Sequence, residues 1–166
     1  MTSSSLIKSR YLDPFTDFAF KFLFGEDIRK EYLIDFLNAL LNPEKKIVDI
    51  IYLPTEQLGL VIEDRKAVFD VYCIDETGRR FVLELQRMSQ KHFKDRSLYY
   101  SMFSIRAQAK PGLWNYELKE TVVICLLEFS FDHTTPDQLL HEVKLVERQS
   151  GKVFNDHITY WYIESS

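Results

Sequence analysis

The sequence predicts an α/β domain, with a mixed central sheet flanked by helices. Three observations carry that prediction. Apolar residues at helical spacing are confined to two stretches, one before residue 42 and one after residue 90. Short runs rich in Val, Ile, Phe and Tyr lie between and beyond them. One of these, residues 121–129, is almost unbroken in its apolar character and reads as a central strand covered on both faces.

Taken in order, Asp13-Pro14 reads as an N-cap with proline at the first helical position, opening an aromatic helix through Phe24 that Gly25 closes. A second helix is expected over 27–41, where Tyr32, Leu33, Phe36, Leu37, Leu40 and Leu41 form one apolar stripe and Asn42-Pro43 ends it. Three strands should follow, over 47–53, 67–74 and 80–86. Asp75-Glu76-Thr77-Gly78 turns the last two into an antiparallel hairpin. Beyond Gln90 the helical spacing returns through Phe93, Leu98, Met102, Ile105 and Ala109, and Pro111-Gly112 ends it. After the strand at 121–129, residues 157–164 alternate as one strand more. The expected order is two helices, three strands, a helix, a strand and a further strand.

With 166 residues, 46% of them hydrophobic and 14% aromatic, the chain can bury a single core over 1–166 without disulfides or structural metal. The polar start, Thr2 to Ser5, reads as a frayed end. Cys73 and Cys125 each sit in an apolar strand run and are expected to be buried thiols. Residues 1–10 lack the apolar core of a signal peptide and no run is long enough to span a bilayer, so a cytoplasmic protein without a membrane partner is expected. Gly-rich phosphate loops are absent, which argues against a nucleotide cofactor. His92, His133, His141 and His157 have no cysteine or second histidine at ligand spacing, which argues against zinc. Ser101 and Ser104 lack the context of a hydrolase nucleophile.

The net charge of −4 argues against a protein that simply coats nucleic acid. Its distribution is uneven. Residues 79–96 hold six basic side chains (Arg79, Arg80, Arg87, Lys91, Lys94, Arg96) against the acids Glu84 and Asp95, whereas 128–147 is dominated by acids. The basic run reads either as a phosphate-facing patch or as a solvated helix face.

Asp70, and then Glu84 with Gln86, interrupt runs that otherwise read as buried β-structure. Burying a charge costs several kcal/mol, on the order of the desolvation penalty, unless it is paired or bound to a cation. Side chains alternate along a strand, so Glu84 and Gln86 face one side with Val82 while Leu83 and Leu85 face the other. If Asp70 shares that facing, two carboxylates and an amide converge in an oxygen-rich cluster suited to Mg²⁺ or Mn²⁺ and to metal-assisted phosphodiester hydrolysis. The competing reading makes Asp70 and Glu84 edge-strand residues pointing to water. The aromatic series Phe15, Phe18, Phe20, Phe22 and Phe24 reads as core, and so do Tyr99 and Tyr100.

Three stretches carry a resemblance: Thr16-Asp17-Phe18-Ala19-Phe20-Lys21-Phe22-Leu23-Phe24-Gly25, then Phe69-Asp70-Val71 with Phe81-Val82-Leu83-Glu84-Leu85-Gln86, then Arg96-Ser97-Leu98-Tyr99-Tyr100. Over nearly its whole length the chain resembles the PD-(D/E)XK nuclease family transposases, the recombination-promoting nucleases. The resemblance implies a restriction-endonuclease-like core and a Mg²⁺- or Mn²⁺-dependent DNA endonuclease; two nicks on a duplex would suit a two-fold homodimer. It implies Asp70 and Glu84 as metal ligands, Gln86 positioning water or phosphate, Asp17 as an additional acid, and Lys21 or Arg96 as a compensating charge; with Lys21, the basic run supplies Arg87, Lys91, Lys94 and Arg96 as candidate contacts to DNA. The sequence departs from the family pattern at Phe69, in place of the proline, and at Gln86, which lacks the charge of the usual lysine. Relatives continue past a strand like 160–164, so the resemblance also implies a chain cut short at its C-terminus. Without the lysine, the alternative is an interaction module that kept the nuclease fold and lost its activity.

Overall fold

The structure is a computed structural model and describes residues 12–57, 67–131 and 137–165. The polar start at 2–5 and His133 lie outside the described residues. Its centre is a six-stranded mixed sheet in the order β1-β4-β5-β6-β8-β7. These strands are β1 (Ile50–Tyr52), β4 (Val71–Asp75), β5 (Arg80–Gln86), β6 (Thr121–Leu127), β7 (Leu140–Val146) and β8 (Val153–Glu164). β5, β6 and β8 are mutually parallel, whereas β1, β4 and β7 pair antiparallel to their neighbours. A two-stranded ribbon of β2 (Glu56–Gln57) and β3 (Ala67–Val68) stands beside the sheet. This is the predicted α/β class with a restriction-endonuclease-like core.

Helices α1 (Asp17–Phe24) and α2 (Lys30–Leu41) cover one face of the sheet. Phe20, Phe24, Leu33 and Leu37 pack there on Val71, Cys73, Phe81, Leu83, Val122 and Ile124. Helix α1 starts later than the Asp13-Pro14 signal implied. Asp13 spends its side chain and its carbonyl on a preceding turn, accepting from Phe15 N–H and Thr16 N–H, and it is the Thr16 hydroxyl that caps the helix by accepting from Ala19 N–H. Gly25 closes α1 as predicted, for a steric reason: a Cβ there would stand 2.7 Å from the Lys21 carbonyl oxygen. The second predicted helix opens with a 3-10 turn, Asp27–Arg29, before α2 proper.

Helix α3 (Phe93–Arg106) covers the opposite face. The apolar spacing in this stretch marks the buried side only in part: Phe93 and Ile105 pack against the core, but the middle of the stripe does not. Leu98 and Met102 are 51% and 61% exposed, while Ser97, Ser101 and Ser104 are buried. The sheet explains the reversal, because it presents tyrosines to α3. Ser97 Oγ and Tyr162 Oη lie 2.8 Å apart, as do Ser101 Oγ and Tyr160 Oη, and Tyr72 Oη donates to Ser104 Oγ at 3.3 Å. A face that reads as polar in sequence is thus a satisfied helix–sheet interface.

Two strands differ from expectation as well. The predicted strand over 67–74 is broken at Phe69 and Asp70 into β3 and β4. Strand β7 was not predicted. It forms one edge of the sheet, and its Leu140, Val143 and Leu145 are exposed enough to blur the alternation that marks a half-buried strand. β6 is buried at every position, as its apolar run predicted, and both cysteines are buried free thiols. No helix among the described residues is long and apolar enough to cross a membrane.

Candidate active site

The parallel strands end together, with Gln86 beside Leu127 and Leu127 beside Glu164. In open α/β sheets this carboxyl edge is the usual place for a ligand. Glu84 and Gln86 lie on the α3 face with Val82, while Leu83 and Leu85 face α1 and α2, as strand alternation required. Asp70 arrives at the same edge from the antiparallel β4. One more step of the β4–β5 register would set it opposite Glu84, but the chain turns away there to pair with the ribbon, and Phe69 N–H donates to Thr55 O. The carboxylates take over two backbone amides at the break. Leu85 N–H donates to Asp70 Oδ2 at 2.8 Å, and Asp70 N–H donates to Glu84 Oε1 at 3.1 Å. The interruption of the strand therefore brings the two acids together, and each is held by backbone at the other's position.

The site is short of positive charge. Glu84 is 5% exposed, and the cation touching it comes from the first turn of α3, where Arg96 NH2 donates to Glu84 Oε2 at 3.3 Å. Burial and then the Asp70 charge push the Glu84 carboxyl up to about 8, because the Asp70 N–H and Arg96 offset only part of the effect. Burial also raises Asp70, with Asp17 acting in the same direction and Leu85 N–H, Lys21 and Arg96 against it. A divalent cation fits this donor set. Both acids offer hard oxygens, and Asp70 Oδ1 has no hydrogen bond among the described residues. Among those residues no three His, Cys, Asp or Glu side chains gather as a metal cage. An ion would thus take two carboxylates from the chain and complete its shell with water, which is the habit of Mg²⁺.

The remaining candidates are dispersed. Gln86 is buried next to the pair, but its Nε2 donates to Met88 O at 2.9 Å, so its amide protons serve its own loop. Asp17 and Lys21 pair with each other on exposed turns of α1. Their charges reach Asp70 without a hydrogen bond to it. Arg87 pairs with Glu128 at 3.2 Å, and the Lys94 ammonium sits 4.1 Å from the centre of the Phe131 ring. Lys91 lines an open groove beside α3. Of the basic residues proposed to contact DNA, Arg96 alone bonds the carboxylate pair among the described residues.

Two neighbours were named in the sequence without being assigned to the site. Phe69 packs its ring against Tyr72 and Tyr100, at 5.1 and 5.3 Å, and so occupies the proline position of the motif as a core residue. Tyr100 also lies under Arg96, whose Cζ is 5.4 Å from the ring centre. Arg96 and Tyr100 are four residues apart on α3, a spacing that places them on one helical face and is readable in advance. Over Glu84 they enclose, with Phe93 and Ser97, a pocket of about 10 Å³, room for one water.

An acid pair at the carboxyl edge of a mixed sheet, fed by a hairpin and roofed by a helix, defines a nuclease core of the restriction-endonuclease class. Residues 14–166 match the PD-(D/E)XK nuclease family transposases, and the chain belongs to that family. No curated protein and no solved structure matches the chain.

Proposed function

We propose that this chain is a divalent-metal-dependent DNA endonuclease in which Asp70 and Glu84 are the metal ligands, with Mg²⁺ or Mn²⁺ as the ion. The observation that carries the reading is the interlocked carboxylate pair, whose mutual repulsion no bonded cation other than Arg96 relieves among the described residues. When bound, the ion supplies Lewis-acid charge for hydrolysis of a phosphodiester by water. The protein's part is to hold the two carboxylates rigidly by backbone amides, to keep Arg96 at Glu84, and to exclude bulk water from the α3 side of the pair. Gln86 supports the loop after β5 through Met88 O, and Asp17 and Lys21 adjust the field at Asp70 from α1.

The test is nicking of supercoiled plasmid in Mg²⁺ or Mn²⁺ by the wild type, Asp70→Asn and Glu84→Gln, purified in parallel. Metal-dependent nicking should fall at least a hundredfold in each variant, on the order expected for loss of transition-state charge stabilisation. Equal background in all three proteins would overturn the reading in favour of a nuclease fold kept for interaction.

A further inference from the structure

The pocket over Glu84 admits no more than a water, yet it adjoins an open groove of about 600 Å³ along the first two turns of α3. Arg96 and Tyr100 line both spaces, so these two side chains stand between the groove and the pocket over Glu84. Its other walls include Lys91, His92 and Tyr99. The groove's charged walls are Lys91, Arg96 and the acid Asp95, whose carboxylate lies 2.9 Å from His92 Nδ1. Tyr99 is 41% exposed and is braced from behind by Phe103, edge to face at 5.1 Å.

We propose that this groove binds an unpaired stretch of DNA, one base lying against Tyr99 and the following phosphate reaching Arg96 at the edge of the carboxylate pair. The inference rests on the nuclease reading of that pair and specifies the form of its substrate. At about 600 Å³ the groove is the size of a small-ligand pocket, which takes in single nucleotides rather than a length of helix. A base shows its face to an aromatic side chain only when it has left the helical stack. The guanidinium of Arg96 has five donors in a planar fork. One holds Glu84, and the others can meet a phosphate in the groove without releasing it. Basic and aromatic walls in alternation are the chemistry by which single strands are held without regard to sequence.

Binding is measured by fluorescence anisotropy in EDTA, so that nothing is cut, using a labelled twelve-nucleotide strand and the same sequence as a blunt duplex. The single strand should bind at least tenfold more tightly. Tyr99→Ala should weaken it roughly tenfold, in line with the loss of one stacked base, while Tyr99→Phe keeps the affinity. Lys91→Ala should lower the salt dependence of binding by about one phosphate contact. Equal affinity for the two forms, no measurable binding of the strand, or an unaffected Tyr99→Ala would each overturn the proposal. Tyr99-dependent binding beside an intact plasmid in both metals would keep the groove and refute the nuclease reading. Nicking of the plasmid beside an indifferent Tyr99→Ala would do the reverse.

Discussion

Glu84 and Glu164 stand on the same face of the same sheet, at the same edge and two strands apart, and both are almost fully buried. Their carboxyls nevertheless shift in opposite directions. At Glu164 burial works against ionisation, but the carboxylate accepts from Phe131 N–H at 2.6 Å, from His141 Nε2 at 3.0 Å and from Ser130, and these bonds together hold it below the usual range. At Glu84 burial and a second acid outweigh one amide and one guanidinium, and the carboxyl rises to about 8. The first environment is complete without a ligand. In the second, two acids share a single bonded guanidinium among the described residues. The contrast is between a buried acid whose hydrogen bonds are complete and one crowded by a second acid.

The largest effect should come from removing the unfavourable charge. Asp70 and Glu84 both ionise above their ordinary values in the folded protein, so the native state keeps protons that the unfolded chain has already released. Stability without metal therefore falls as pH rises from about 4.5 to about 8. Glu84→Gln should remove much of this slope, gaining on the order of 3 kcal/mol at pH 8 and little at pH 4.5, read from urea unfolding in EDTA at the two values. An equal effect at both would break the comparison. Next in size, His141→Ala strips a partner from the satisfied acid and should cost about 2 kcal/mol at neutral pH while leaving plasmid nicking as in the wild type. The smallest change sharpens the contrast: Gln86→Lys sets an ammonium on the face of Glu84, and the pH at which stability falls should move down by about one unit.

How far the sequence led depended on how much of each element's character is local. β5 and β6 were legible because their burial follows from their own composition, and so was the shared facing of Glu84 and Gln86, which needs only strand alternation. β7 was not, because an edge strand with one open side shows no clean period. The burial of the serine face of α3 was not legible because a hydroxyl counts as polar until the tyrosine that satisfies it is known, and Tyr160 and Tyr162 lie about sixty residues further on. The same holds for the site. Asp70 and Glu84 could be named from their interruption of apolar runs. The break at Phe69, the exchange of amides and the reach of Arg96 depend on contacts across the fold.

The hydroxyl contacts under α3 also act as a ruler. Ser97 and Ser101 are four residues apart on a helix, a rise of about 6 Å, and Tyr162 and Tyr160 are two residues apart on a strand, a span of about 6.8 Å. The two scales nearly coincide over a single tooth and drift apart beyond it, so the helix can mesh with β8 at one setting. Oily packing would let α3 slide or roll by a fraction of a turn, whereas a toothed contact does not. Since Arg96 is the residue just before the first tooth, the aim of its guanidinium at Glu84 is calibrated from β8, on the far side of β6.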